Sequence, residues 1–162
     1  MIKYNWMPAV LSLASCGTDY GPTVCEFEPD WRVHDNSGIE GGWSGLDCSD
    51  FWGGLYWFRD LYNDHFPKNQ IKNLEVLGPL DVDIRPESGP FAGWYNGSAI
   101  SVDVRPDYVC LRPTAYIHEL LHLMLERSGQ DVDNDHNRLA IWLWVENEVA
   151  PAFSQFACPE GF

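Results

Sequence analysis

The sequence predicts an α+β fold: a small β-sheet, a backing helix, a buried helix carrying two histidines, and a C-terminal helix. The buried helix is read from residues 114–128, which are apolar on nearly every side and lie between Pro113, a start signal, and Gly129, a stop. The backing helix is read from Phe51, Leu55, Phe58 and Tyr62, which recur at helical spacing and stop at Pro67. Strand-like runs at Leu74–Leu77, Leu80–Ile84 and Ala99–Val104 lie between the two.

Taken in order, residues 1–16 carry one lysine, Lys3, a short apolar stretch and Leu13-Ala14-Ser15-Cys16. That tetrapeptide resembles the lipobox of bacterial lipoproteins, where a signal peptide is cut before a cysteine that takes lipid. The expected division is a signal at residues 1–15, a tether at 16–24 and one domain at 25–162. An ordinary buried strand is the plainer alternative. Residues 18–47 are rich in Gly, Trp and acids without clear period, and read as loops over the core. A turn is expected near Asn96-Gly97, and the alternation in 98–103 implies one buried and one exposed strand face. After the buried helix comes an acidic loop. Asn137 to Val149 reads as a final helix ending before Pro151.

Composition limits the partners. The 162 residues include 24 acids against 10 bases, a net charge of −14. Such a chain repels nucleic acid and anionic membrane surface, so neither is an expected partner, and membrane contact would come only through lipid on Cys16. The domain is large enough for a core of its own and is expected to be a monomer.

The buried helix holds His118-Glu119-Leu120-Leu121-His122, spelling HExxH. Residues four apart share a helix face, so both imidazoles can bind one zinc ion. Glu119 lies about 100° around the same turn, where it can take a proton from a metal-bound water. Core histidines bonded to backbone are the plainer alternative. A catalytic zinc usually has three protein ligands. The metzincin spacing fails, because positions 125 and 128 are Leu and Ser. His136 is the preferred third ligand, since the residues from Gly129 to His136 can span up to ~26 Å. Glu146 or Glu148 on the last helix would instead give a gluzincin arrangement. Asp131, Asp133 and Asp135 alternate like a calcium loop, but His136 and Trp142 stand where an EF-hand needs Gly and Glu. They are expected to shape the turn, cap the next helix or orient His136. His34 and His65 are read as surface or capping residues. Tyr95, Tyr108 and Arg138 are conceivable oxyanion donors that nothing in the sequence separates.

The segment HELLHLMLERSGQDVDNDH, His118 to His136, resembles the active-site segment of short HExxH zincins, including SprT-like proteins. It covers about twenty residues. What it implies is a minimal zincin-like fold and a zinc-dependent metallopeptidase with His118, His122 and His136 on Zn2+. Glu119 would be the general base, a peptide or protein the substrate. It also implies a sheet-edge strand beside the cleft, placed near Ala99–Val104. The alternative is a catalytically inactive zincin-like module that binds zinc or a partner.

Cysteines point to an extracytoplasmic protein, lipid-anchored in a bacterial envelope or secreted. There are five. With lipid on Cys16, four remain for two disulfides in one of three pairings. Cys25 with Cys48 and Cys110 with Cys158 is the favoured guess; Cys110 as a zinc ligand is the weaker alternative.

Overall fold

A computed structural model describes residues 21–27, 30–87, 93–107 and 110–157. The expected signal, most of the expected tether, Cys16, Tyr108 and Cys158 lie outside them. The fold is α+β, as expected. Its five-stranded sheet comprises β1 (Thr23–Phe27), β2 (Trp31–Asp35), β3 (Leu80–Pro86), β4 (Gly93–Tyr95) and β5 (Ala99–Val104) in the order β1-β2-β3-β5-β4. β2, β3 and β5 run parallel, and each edge strand pairs antiparallel with its neighbour.

One sheet face is apolar. Trp31, Val33, Val82, Ile84, Ile100 and Val102 join a single core cluster with residues of α1 (Cys48–His65) and α2 (Pro113–Arg127). Phe51, Leu55, Phe58 and Tyr62 are all buried on α1, the stripe expected of it. Tyr116 of α2 donates to the Phe51 carbonyl at 2.8 Å, joining the two helices where no water reaches. α2 ends as expected: Gly129 takes φ +74°, with Gln130 N–H donating to Leu125 O and Gly129 N–H to Glu126 O. This double closure satisfies the last carbonyls of the helix. The expected turn joins β4 to β5, with Gly97 at φ +87° and the Asn96 side chain accepting from Ala99 N at 2.8 Å.

Several expectations are corrected. Residues 18–47 hold two strands, because Trp31 and Val33 point inward while Arg32 points out, a period that the surrounding Gly and acids obscured. Leu74–Leu77 is a 3-10 turn, started by the Asn73 side chain accepting from Glu75 N at 3.0 Å. β5 is flanked by β3 and β4, and all six of its residues are buried, so it is neither an edge nor half exposed. His34 is buried, its Nε2 2.8 Å from an Asp81 oxygen, whereas His65 ends α1 and stacks on Trp144 at 4.1 Å.

The final helix does not stop at Pro151. α3 (Leu139–Trp144) passes into a π turn (Val145–Val149) and then α4 (Ala150–Ala157). A proline lacks an N–H and its ring clashes with the carbonyl four residues back. The wider turn just before it, where Ala150 N–H donates to Val145 O, shifts that register and lets the helix continue. Among the described residues, no helix is long and apolar enough to cross a membrane.

The expected bond between Cys25 and Cys48 is present and ties β1 to the start of α1. Cys110 is also disulfide-bonded, which removes it as a metal ligand; its expected partner, Cys158, lies outside the described residues.

Candidate metal centre

α2 positions His118 and His122 one turn apart, with ring centroids 5.2 Å apart. The loop after α2 folds back and brings His136 to them. One ligand atom from each of the three imidazoles lies within 4.8 Å of the others, so the trio can hold a metal ion. Glu146 and Glu148 are exposed on the π turn and are not part of this cluster.

The donors suit a metal. The His122 Nδ1–H donates to the Val132 carbonyl at 2.9 Å, leaving Nε2 as the free lone pair. Nε2 of His118 and Nε2 of His136 face each other at 3.0 Å. Ligand nitrogens around a tetrahedral ion with bonds of ~2.0–2.1 Å stand roughly 3.3 Å apart, so this pair needs little movement to share one. Burial, then the neighbouring His122 and His136, pushes His118 down to about 4, so it is neutral and able to coordinate at neutral pH. Burial likewise lowers His122.

Glu119 is 6% exposed and lines the same cavity of about 640 Å³. Burial pushes its carboxyl up to about 8. The cavity lies between α2 and edge strand β4: Gly93, Trp94 and Tyr95 form one wall, and Asn134 and His136 of the loop form another. Trp94 is 59% exposed and adds apolar surface at the mouth. Tyr95 lies parallel to the His122 ring at 6.3 Å, and its hydroxyl donates to Glu126.

The alternating aspartates divide their roles. Asp131 accepts from Asp133 N at 3.0 Å and so shapes the turn. Asp133 is buried and accepts from Asn137 N, Arg138 N and Trp142 Nε1 at 2.7–2.8 Å. Burial opposes its ionisation, but the Trp142 bond, those amides and Arg138 prevail and hold its carboxyl below the usual range. Arg138 donates to the Asp131 carbonyl and lies 3.7 Å from Asp133, so its side chain is tied to the loop.

Sequence reasoning missed the edge strand and Trp142. β4 is three residues long, too short to show a period. Trp142 belongs to the stretch read as helix, but no local signal aims it at the histidines, whose rings it contacts at 4.4–4.6 Å. No family model, curated protein or solved structure matches this chain.

Proposed function

We propose that this chain is a zinc-dependent metallopeptidase with a minimal zincin-like fold. The observation that carries the reading is the convergence of three imidazoles with a buried glutamate on one cavity beside a sheet edge. Zinc suits an all-imidazole set of three with one position left open. When bound, it supplies a Lewis acid and an acidified water at neutral pH.

The protein's own groups do the rest. Glu119 accepts the water's proton on its carboxylate and returns it to the leaving amine. Burial alone favours its protonated form, and a cation held by the three histidines would restore the carboxylate that accepts the proton. β4 lies at the end of the sheet order, and its outer edge is the place for an extended substrate to add as a strand. Trp94 and Tyr95 would then flank the substrate's side chains. The Cys25–Cys48 bond supports an oxidising, extracytoplasmic setting, with Cys16 as the lipid-bearing residue.

The test is zinc content and peptide turnover of the disulfide-bonded protein, with His136→Ala, Glu146→Ala and Glu119→Gln in parallel. One zinc per chain is expected, lost with His136→Ala and kept with Glu146→Ala. Glu119→Gln should keep zinc and fold but lose turnover. A wild type that binds no zinc overturns the reading. A zinc-bound wild type that cleaves nothing in a mixed peptide library leaves an inactive binding module.

A further inference from the structure

We propose that Asp133 and Trp142 are positioning residues that set the geometry of the three-histidine site. The Trp142 indole lies 4.6 Å from the rings of both His118 and His122 and 4.4 Å from that of His136, between centroids. It meets His136 edge-on, at 86°, and tilts at 31° and 45° against the others. A single buried ring in contact with all three ligands restricts the rotation of each.

The indole is itself held. Its Nε1–H donates to Asp133 Oδ2 at 2.7 Å, inside the protein. The same carboxylate accepts from Asn137 N and Arg138 N, which closes the entry to α3 and therefore sets where Trp142 begins its turn. The Asp133 carbonyl accepts the His136 N–H at 2.8 Å. One residue thus fixes the backbone of the third ligand and the side chain that packs on every ligand. Asp133 and His136 both take left-handed backbone, at φ 56° and 54°. Residues other than glycine hold that conformation only where surrounding bonds over-determine it. His122 is oriented from the same loop through Val132.

Ligand imidazoles generally need an outer partner to fix ring plane and tautomer, and loss of one costs about 10–100-fold in metal affinity. Here the Val132 carbonyl takes that part for His122, and the indole held by Asp133 restricts the ring planes of all three by packing. The inference depends on metal binding at the histidines and not on peptide hydrolysis.

The experiment measures Zn2+ affinity by competition with a chromophoric chelator, and the visible spectrum of the Co2+-loaded protein. Wild type is compared with Trp142→Leu, Trp142→Phe and Asp133→Asn, each checked for fold by circular dichroism. Trp142→Leu should weaken Zn2+ binding about 10–100-fold and change the Co2+ spectrum. Trp142→Phe, which restores a ring without the N–H, should recover much of that loss. In metal-free protein the Trp142 indole N–H should exchange slowly with solvent, and fast in Asp133→Asn. If Trp142→Leu fails to fold, Trp142→Phe and Asp133→Asn decide. Folded variants with wild-type affinity and spectrum overturn this proposal while leaving the metal site standing. A wild type that binds neither metal overturns both.

Discussion

Gly93 lies so close to Glu119 that a Cβ added to it would sit 3.0 Å from both Cγ and Oε1 of that side chain. The same Cβ would stand 3.1 Å from the Ser101 carbonyl, so it has no free direction to move. The glycine therefore lets the edge strand approach the buried carboxylate. Gly93→Ala should displace Glu119 while leaving the histidines in place. The expected outcome is normal zinc content with kcat/KM lowered by roughly ten- to a hundredfold, the scale of a misplaced catalytic group. Steady-state kinetics beside metal analysis checks it; loss of zinc in proportion to activity would place the damage at the ligands instead.

How much was legible follows from the range of each signal. His118 and His122 meet because the α-helix repeat acts over four residues, and the flanking Pro113 and Gly129 are local too. His136 could be picked by chemical type and reach, but its left-handed backbone and its distance from His118 are products of the folded loop. Among three alternating aspartates, nothing in the string marks Asp133 as the one that turns inward, since only tertiary burial separates it from its exposed neighbours Asp131 and Asp135. Leu74–Leu77 misled because a strand-like composition was overridden by a capping asparagine. β5 misled because strand alternation was taken to mean a solvated face, whereas pairing on both sides and cover above and below bury all six residues.

Asp50 provides a pH test far from the ligands in sequence. Burial, with Asp47 nearby, pushes its carboxyl up from 3.8 to about 6. A folded-state value above the unfolded one means the native state binds more protons between the two. Its contribution is therefore fully present below about pH 4, falls as pH rises through 6, and becomes a cost at neutral pH. Asp50→Asn should raise stability at pH 8 by about 1 kcal/mol after screening by solvent, and change it little at pH 4. Urea unfolding at the two pH values measures this; an equal shift at both would assign the effect to packing.

Gly54 tests how tightly the helices dock. A Cβ there would come within 2.6 Å of the Phe153 ring and 3.2 Å of Tyr116 Cε1. Phe153 is 1% exposed and Tyr116 fully buried, so neither ring can yield into solvent. Gly54→Ala should cost about 1–3 kcal/mol through overpacking, despite the better helix propensity of alanine. Thermal melting and zinc content together check it. The expectation is a lower Tm with zinc retained, because the clash lies between α1, α2 and α4 and not at the histidines.

The Cys25–Cys48 bond joins residues 23 apart and fastens β1 to the first residue of α1. A loop of that size restricts the unfolded chain enough to contribute about 3 kcal/mol. β1 is at one edge of the sheet, while β4, which lines the cavity, is at the other. Stability and site geometry should therefore separate. Cys25→Ser with Cys48→Ser is expected to lower the unfolding free energy by about that amount while Zn2+ affinity stays within a few-fold of wild type. Denaturant titration and chelator competition on the same preparation measure both. Metal affinity falling in step with stability would show instead that β1 and the cavity wall move as one unit.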